Sequence, residues 1–461
     1  MTKQPPPSDK APIHFVGIAG AGMSALAELF VRRGIAVTGC DSSMAIAADL
    51  ERLGIHVAHG HDPAHVEGVR EVIVTSAVRR DHPELERARE LGIPVTRRAE
   101  ALGRAVSIGR LVGVAGTHGK TTTTVMTTQA LTSAGLDPTG IAGGRVGAWN
   151  GNLSDGGENL FVVEADEYDR SFHALRPTVA VVTNMEADHL DIYPGGIDEI
   201  RDAFATYVRG AQAIVLCADD RGASSIPTPS TAEVIRYGIS SEDARLVATG
   251  IESLDGGSRY DCYYDGKLLG DVQLAVPGMH NVRNSLAAIA SGLALGVTLP
   301  EMRSGLASFT GVERRFQRIG EARGVTIIDD YAHHPTEIDA TLQAARAAFP
   351  KRRIIAAFQP HLYSRTRDFH PEFASALAKA DLVFLSDLYP AREQPIEGVT
   401  SQLISSKMRE SNSAPAWEGP RASLANALAD SVREGDVVLT IGAGDITRTG
   451  PELLSLLEGR E

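Results

Sequence analysis

Short apolar runs alternate with longer stretches of helical spacing along most of the chain. Runs rich in Val and Ile at 13–18, 71–77 and 111–116 are typical of buried strands, and predicted helices follow at about 22–33 and 280–295. Further strand-like runs lie at 35–40, 161–166, 179–184, 213–220, 325–332, 354–360, 382–390 and 436–444. This alternation predicts an α/β protein with mostly parallel sheets.

The chain is long enough for several domains, since 461 residues correspond to about three domains of ordinary size. We place one boundary near 107–110, directly before a predicted strand, and another near Val312. The predicted domains are residues 1–108, 109–312 and 313–461. Within the second, residues 225–276 are rich in turn residues, and we predict a peripheral segment of short strands there.

Composition narrows the class of protein. With 43% apolar and 22% charged residues, the chain is typical of a soluble globular protein. The net charge of −13 weighs against nucleic acid or an anionic membrane as the main partner. The polar start at 1–10 lacks the apolar core of a signal peptide, no run approaches the roughly 20 apolar residues that span a bilayer, and we expect a cytoplasmic protein.

The three cysteines, Cys40, Cys217 and Cys262, lie far apart and show no metal-ligand spacing. We interpret them as reduced thiols.

The sequence LVGVAGTHGKTTTT at 111–124 places a glycine-containing turn between a predicted strand and a helix. Such a turn lets backbone N–H groups approach phosphates at a helix N-terminus. Lys120 would reach the β- and γ-phosphates, and the Thr121 hydroxyl would contact Mg²⁺. The motif is shortened, because Val114 stands where the usual phosphate loop has its first glycine. The predicted loop residues are Gly116, Thr117, His118, Gly119, Lys120, Thr121 and Thr122.

A second glycine-containing turn lies in the first predicted domain. Gly20, Gly22 and Ala25 follow the first strand, and Asp41 ends the next strand about twenty residues later. This pattern is typical of a dinucleotide site in which the acid binds a ribose hydroxyl. A UDP-sugar, which also carries a pyrophosphate and a ribose, satisfies it equally, and a tight turn without a ligand is a third interpretation.

Candidate metal ligands follow two strands of the second predicted domain. Glu164 and Asp166 end one strand, and His189 lies just past another, where parallel sheets place ligands. Carboxylates suit Mg²⁺, whereas a histidine ligand is less usual, so His189 is either a metal contact or a packed residue.

Four histidines cluster in VAHGHDPAHV. They are His56, His59, His61 and His65. We interpret them as a solvated loop near the first nucleotide, in preference to a metal site.

Seven motifs in order, GTHGKT, EADEYDRSF, NMEADHLDIY, HNVRNSLAAIA, GVERRFQ, DDYAHHPTEI and FQPHLYSRT, resemble the Mur ligases between Ile13 and Thr447. The opening GIAGAGMSALAELF resembles that of the alanine-adding members. The resemblance implies an N-terminal Rossmann-like domain for a UDP-sugar, a central ATPase domain and a C-terminal Rossmann-like domain for an amino acid.

The implied reaction joins L-alanine to the lactyl carboxylate of UDP-N-acetylmuramate through an acyl phosphate, with ATP converted to ADP and phosphate. Mg²⁺ is the implied metal, and Mn²⁺ would substitute for it.

The resemblance also assigns roles to residues of this chain. Lys120 corresponds to the phosphate lysine, and the metal ligands would be Thr121, Glu164 and His189. The implied ATP contacts are His280, Asn281, Asn284, Arg314, Arg315 and Asp329, of which Arg315 faces the γ-phosphate and Asp329 a ribose or metal. Polar capping of a helix is the alternative for the residues of HNVRN. The implied UDP-sugar contacts are Gly20, Ala21, Gly22, Met23, Ser24, Asp41, Ser42 and Ser76.

Tyr331, His333 and Arg365 resemble the amino-acid site. Arg365 would bind the carboxylate, and His333 would orient the amine or take its proton with a pKa near 6.5. The alternative is that His333 and His334 only cap a helix that starts at Pro335. Some family members have Arg where this chain has Leu362.

Other functions fit fewer of these features. A nicotinamide-dependent dehydrogenase leaves GTHGKT unexplained, and a non-catalytic phosphate-loop regulator leaves the acids and arginines unexplained. A tripeptide-recycling ligase and a folylpolyglutamate-type ligase are the related alternatives. Monomer and homodimer are both open.

Overall fold

Three sheets of mostly parallel strands follow one another along the chain. The structure is a computed structural model that describes residues 10–190, 192–254, 256–391 and 393–459. The α/β class predicted from the alternating pattern is confirmed. The predicted polar start lies, apart from Lys10, outside the described residues. Among the described residues, none of the helices combines the length and apolar character that crossing a membrane requires.

The first sheet is fully parallel, with order β3-β2-β1-β4-β5. Its strands are β1 (Ile13–Val16), β2 (Val37–Asp41), β3 (His56–His59), β4 (Glu71–Val74) and β5 (Val95–Arg97). Its helices are α1 (Ala21–Arg32), α2 (Ala47–Arg52), α3 (Pro83–Leu91) and α4 (Arg98–Val106). The chain reverses its direction across the sheet at β1, so the glycine-containing turn after β1 lies where such sheets bind ligands.

The second sheet has ten strands in the order β15-β14-β13-β12-β11-β10-β6-β9-β7-β8. They are β6 (Arg110–Ala115), β7 (Thr139–Val146), β8 (Gly151–Ser154), β9 (Leu160–Glu164), β10 (Val179–Val182), β11 (Ala213–Cys217), β12 (Glu233–Gly238), β13 (Leu246–Leu254), β14 (Gly257–Tyr264) and β15 (Lys267–Leu274). The helices are α5 (Lys120–Ser133), α6 (Ile197–Val208), α7 (Arg221–Ser224), α8 (Met279–Ala294) and α9 (Leu299–Ala307). β6 lies between β9 and β10, so the carboxyl ends of all three strands meet at one edge.

The segment predicted as short peripheral strands is peripheral, but its strands are not short. β12 to β15 have six to nine residues each and form one end of the second sheet. Glycines and charged residues interrupt these strands, which conceals their length in the sequence.

The third sheet has the order β16-β17-β21-β18-β19-β20, with only β16 antiparallel to its neighbour. Its strands are β16 (Gln317–Ala322), β17 (Val325–Asp330), β18 (Ile354–Phe358), β19 (Leu382–Ser386), β20 (Trp417–Gly419) and β21 (Val437–Ile441). Its helices are α10 (Pro335–Ala348), α11 (Tyr363–Leu377), α12 (Gln402–Glu410), α13 (Arg421–Ser431) and α14 (Thr449–Glu458).

The third sheet is buried on both faces. Ile328, Phe358 and Leu439 pack in one apolar cluster on one face of the sheet. Ile327 and Ile355, whose side chains point to the opposite face, pack in a second cluster. Strands covered on both sides are expected to be continuously apolar, which explains the uninterrupted runs in the sequence. The chain forms two compact units. The unit that contains the third sheet from Phe309 onward also includes Gly250–Tyr260 and Gln273–Val282.

Candidate active site

The phosphate loop, residues 116–121, adopts a conformation that requires both of its glycines. Gly116 has φ +137° and Gly119 has φ +78°, values that L side chains rarely adopt. A Cβ on Gly116 would lie 2.1 Å from Thr183 Oγ1, and one on Gly119 would lie 2.7 Å from Asn284 Oδ1. Thr183 and Asn284 therefore approach the loop as closely as the absence of side chains permits.

The chain that follows β10 holds this loop. Asn184 accepts hydrogen bonds from the backbone N–H of Thr117 (3.2 Å) and, through Oδ1, from that of His118 (2.8 Å). Its side-chain nitrogen donates back to the His118 carbonyl at 3.0 Å. The Thr183 hydroxyl donates to the same carbonyl at 2.6 Å. Sequence analysis missed Thr183 and Asn184, although both end a strand beside the loop's own strand.

Lys120 forms an ion pair with Glu167 near the carboxyl ends of the strands of the second sheet. Its ammonium donates to both Glu167 oxygens at 3.0 and 2.9 Å, and to the carbonyls of Gly116 (2.7 Å) and Thr117 (3.2 Å). Only 13% of the Lys120 side chain and 4% of the Glu167 side chain are exposed. Glu167 follows the predicted acids by one residue and was not singled out from the sequence.

Three carboxylates surround this single ammonium. Burial by itself would lower the pKa of Lys120, but the charges of Glu167, Asp166 and Glu164 outweigh it and raise that pKa. Burial raises the pKa of Glu167 to about 7, against the pull of Lys120. The excess of negative charge is the environment that a divalent cation would neutralise.

The predicted metal ligands lie around this cluster. Thr121 is buried in the first turn of α5, and Glu164 ends β9, where it accepts the Gly143 N–H at 2.5 Å. The His189 Nε2 atom lies 3.8 Å from Glu167 Oε1. Hydroxyl and carboxylate oxygens fit Mg²⁺, and Glu167 adds an oxygen donor that the sequence analysis did not include.

His189 has a positive φ of 54°, a strained conformation for a residue other than glycine. Its ring makes an edge contact with Tyr168, 5.1 Å between centroids. This backbone conformation places the imidazole beside Glu167, so the metal contact of His189 stays a prediction that agrees with its position.

The HNVRN residues lie at the start of α8. The Asn281 side-chain nitrogen donates to the Pro277 carbonyl at 2.8 Å, which agrees with a local capping role. Asn284 instead lies against Gly119 of the phosphate loop. The contacts of His280 and Asn281 with ATP stay predictions.

Asp329 corrects one prediction. Its side chain is fully buried and accepts hydrogen bonds from Thr440 (2.6 Å), Thr447 (2.8 Å) and Arg314 Nε (3.3 Å). The prediction that Asp329 contacts a ribose or a metal is therefore wrong, since its oxygens are committed inside the third sheet. Its role is to hold Arg314, which also donates to the Gly442 carbonyl at 2.7 Å.

The two neighbouring arginines both lie over Tyr331. The guanidinium carbon of Arg314 is 4.8 Å from the ring centroid, and that of Arg315 is 5.2 Å away. Arg315 also approaches Glu337 at 3.6 Å. The other Glu337 oxygen lies 3.2 Å from His333 Nδ1, so Glu337, which sequence analysis missed, connects the predicted phosphate arginine with the predicted amino-acid site.

His333 is held in one orientation by its neighbours. Its Nδ1 atom lies 3.0 Å from the Tyr331 carbonyl, which requires a proton on Nδ1 and leaves Nε2 as an acceptor. Burial lowers the pKa of His333 to about 3, against the opposing charge of Glu337 and together with the positive charge of Arg365. The assumed pKa near 6.5 is therefore wrong, and His333 suits orienting an amine better than taking its proton. Capping at Pro335 is done by His334 and Glu337.

The carboxylate candidate Arg365 is buried in the first turn of α11. Leu362, just before that helix, has a positive φ of 72° and is also buried.

In the first sheet, Asp41 fastens the turn after β1, its proposed ribose contact stays a prediction, and two other residues are corrected. The Asp41 carboxylate accepts the N–H groups of Ala19 and Ser43, each at 2.8 Å, and so fastens the turn after β1. Met23 and Ser24 are buried, and their N–H groups both donate to the Gly20 carbonyl. The predictions that Met23 and Ser24 contact the UDP-sugar are wrong, because both residues are committed inside α1.

Arg98 lies over the N-terminus of α1, where sequence analysis expected the pyrophosphate. A Cβ on Gly22 would lie 2.8 Å from Arg98 Nη1. The N-terminal turn of a helix and a guanidinium both favour an anion, which makes Arg98 a candidate that the sequence did not reveal. Ser42 and Ser76 are exposed beside the strand ends, and their contacts stay predictions.

Three family models match the chain in order. Residues 12–109 match the Mur ligase family, catalytic domain; residues 114–292 match the Mur ligase middle domain; and residues 314–444 match the Mur ligase, glutamate ligase domain.

The chain is also similar over its length to curated proteins and a solved structure. It is 42% identical over 451 residues to UDP-N-acetylmuramate–L-alanine ligase of Geobacter sulfurreducens, covering 97% of each chain. It is 44% identical over 455 residues to the enzyme of that name from Anaeromyxobacter dehalogenans, covering 98% and 99%. The crystal structure of UDP-N-acetylmuramate-alanine ligase from Thermotoga maritima matches with a TM-score of 0.83 at 30% identity, covering 98% and 100%.

We expect His333 to stay neutral from pH 8 to pH 5, because burial disfavours its charged form. Nitrogen chemical shifts of the full-length protein, labelled at histidine, measure this directly. The histidine signal that is missing from the spectrum of His333→Gln is assigned to His333. A titration midpoint near 6.5 would contradict the burial argument.

Proposed function

Because the chain belongs to the Mur ligase family, we propose that it joins L-alanine to the lactyl carboxylate of UDP-N-acetylmuramate, with conversion of ATP to ADP and phosphate. The observation that supports this proposal most strongly is the full-length similarity to proteins named UDP-N-acetylmuramate–L-alanine ligase. The geometry of the candidate active site agrees with it. The phosphate loop, Lys120 and the carboxylate cluster suit ATP, and Tyr331, His333 and Arg365 suit a small zwitterion.

The first step uses the sugar substrate as its own nucleophile. A lactyl carboxylate oxygen attacks the γ-phosphorus, the bond to the ADP oxygen breaks, and an acyl phosphate forms. Lys120 stabilises charge on the phosphoryl oxygens, and the loop N–H groups hold the phosphates. Thr121, Glu164, His189 and Glu167 would hold Mg²⁺, which neutralises phosphate charge when bound.

The second step joins the amino acid. The ammonium group of L-alanine first loses a proton to water, and the resulting amine attacks the acyl carbon. The carbon–oxygen bond to phosphate then breaks, phosphate leaves, and the second amine proton passes to the departing phosphate. Arg365 binds the carboxylate, and the neutral His333 accepts a hydrogen bond from the amine through Nε2, which orients the nitrogen lone pair. Arg315 stabilises charge on the phosphoryl group and is itself positioned by Glu337.

The surroundings proposed for this reaction follow from the same features. The acidic chain works in the cytoplasm on small substrates, without nucleic acid or membrane as a partner. It acts as a monomer or a homodimer.

Phosphate release from ATP tests the proposal. With UDP-N-acetylmuramate present, release should require L-alanine and should be much slower with glutamate or a cell-wall tripeptide. Lys120→Ala should abolish release but leave UDP-N-acetylmuramate affinity nearly unchanged, and Lys351→Ala, which alters an exposed lysine, should have the native rate. Faster release with tripeptide would identify a recycling ligase, and hydride transfer from NADH would identify a dehydrogenase.

Activity should be lost in EDTA and restored by Mg²⁺ or Mn²⁺ alone. Glu164→Ala should raise the Mg²⁺ concentration for half-maximal activity at least about tenfold, because it removes a charged oxygen donor. Glu233→Ala removes an exposed carboxylate from the same sheet and serves as the control. An unchanged metal requirement in Glu164→Ala would remove Glu164 from the proposed metal site.

Arg365→Lys should raise the KM for L-alanine roughly tenfold, about 1.4 kcal/mol, because lysine cannot form the two parallel bonds to a carboxylate. Arg367→Lys, exposed two residues later on α11, is the matched control. Steady-state kinetics for each substrate decide the assignment. A raised KM for ATP with an unchanged KM for L-alanine would place Arg365 at the phosphates instead.

A further inference from the structure

Four potential metal ligands meet inside the first sheet, away from the turn after β1. His14 lies on β1, Cys40 on β2, His65 in the 3-10 helix Pro63–Val66, and Glu84 in the first turn of α3. One ligand atom from each lies within 4.8 Å of all the others. The spacing of the cysteines in the sequence does not indicate a metal site at Cys40. The fold nevertheless brings Cys40 close to His14 and His65.

Glu84 is a carboxylate with no exposed surface, beside a cluster of valines that includes Val16 and Val66. It accepts the Cys40 thiol at 3.2 Å and lies 2.7 Å from His65 Nδ1. A buried carboxylate is costly unless a positive charge offsets it. The Asp62 backbone N–H also donates to Glu84 at 3.0 Å, but among the surrounding side chains only a histidine proton or a bound cation would supply a positive charge.

His14 supplies an independent observation. It is 2% exposed, and its Nδ1 atom bonds the Thr38 hydroxyl at 2.9 Å. Within the described chain, its Nε2 atom is buried and has no hydrogen-bond partner. Metal-bound histidines show this arrangement, in which one ring nitrogen is fixed by a hydrogen bond so that the other faces the ion.

We propose that His14, Cys40, His65 and Glu84 bind a Zn²⁺ ion. Two imidazoles, one thiolate and one carboxylate form a ligand set that Zn²⁺ accepts in four-coordinate sites. On binding, the Cys40 thiol releases its proton to water, a sulfur–zinc bond forms, and His65 presents an unprotonated nitrogen. The thiolate and the carboxylate together neutralise the ion, so the buried site carries no net charge.

Two more histidines approach the same carboxylate. The Nδ1 atoms of His61 and His82 lie 3.8 and 4.0 Å from Glu84 Oε2, and His61 Nδ1 lies 3.3 Å from the Cys40 sulfur. Both lie nearer the surface than His14, and they surround the site rather than complete it. The interpretation of the four histidines as a solvated loop is only partly right. His56 and His59 are exposed but belong to β3, and His65 is half-buried against Glu84.

The site would brace the turn that the UDP-sugar is proposed to bind. The Cys40 carbonyl accepts the N–H groups of Gly17 and Ile18 at 2.9 and 3.1 Å. A zinc ion on the Cys40 sulfur would therefore fix β2 against this turn, while His65 and Glu84 tie the 3-10 helix and α3 to the same point.

Metal binding to the full-length protein tests the proposal without using activity. The protein is stripped of metal and loaded with Zn²⁺ or Co²⁺ in excess Mg²⁺, which occupies the proposed magnesium site. We expect one tightly held Zn²⁺ per chain by mass spectrometry, and a thiolate-to-metal charge-transfer band in the Co²⁺ spectrum. Cys40→Ser should abolish the band and weaken Zn²⁺ binding at least tenfold, whereas Cys262→Ser, equally buried elsewhere, should keep both.

A native chain that holds no Zn²⁺, or a Co²⁺ spectrum without the sulfur band, would overturn the proposal. Equal Zn²⁺ binding by Cys40→Ser and the native chain would also overturn it. If Cys40→Ser fails to fold, the Co²⁺ spectrum of the native chain still tests the proposal. His65→Asn, at the partly exposed edge of the site, then replaces Cys40→Ser as the variant. Ligase activity in a chain without zinc would leave the proposed function intact.

Discussion

The ion pair between Lys120 and Glu167 is the contact on which the candidate active site depends. It ties the phosphate loop to the chain after β9, and the same ammonium holds two loop carbonyls. Because both groups are largely buried, removing either one leaves a charge without its partner, which typically costs about 3–5 kcal/mol. The position of the lysine is therefore fixed by the fold rather than by the flexibility of its own side chain.

The third domain uses one buried and one half-buried carboxylate in a similar way. Asp329 holds Arg314, and Glu337 lies between Arg315 and His333, so acids behind the surface orient the cations at it. Tyr331 completes this arrangement by presenting its ring to both arginines. Chemistry that depends on positioned charge needs such support, since a long arginine side chain otherwise samples many rotamers.

Sequence patterns predicted most of the strands because parallel sheets covered on both faces need continuous apolar runs, as in β17 and β21. Helix α1 begins and ends within one residue of the expected bounds. Motifs also singled out Lys120, Glu164 and Arg365, since the chemistry proposed for them requires particular residue types near glycines or strand ends; their roles stay predictions.

The supporting residues were not predictable in the same way. Asn184, Glu337 and Arg98 act through neighbours that lie far away in the sequence or on another element, and no local spacing reports that proximity. Residue type was also a poor guide to accessibility. Asp329 and Met23 have suitable positions along the chain but face the interior, and the pKa of His333 depends on burial that the sequence does not record.

The glycines of the phosphate loop have a consequence for how a nucleotide would be bound. Glycines let Thr183 and Asn284 approach the loop closely, and hydrogen bonds from Thr183 and Asn184 fix its backbone, so less conformational entropy remains to be lost when phosphates arrive. Its backbone amides contact phosphate oxygens, which are the same in every nucleoside triphosphate. Affinity is thus built into the loop, and the choice among adenine, guanine and the pyrimidines belongs to side chains elsewhere in the protein.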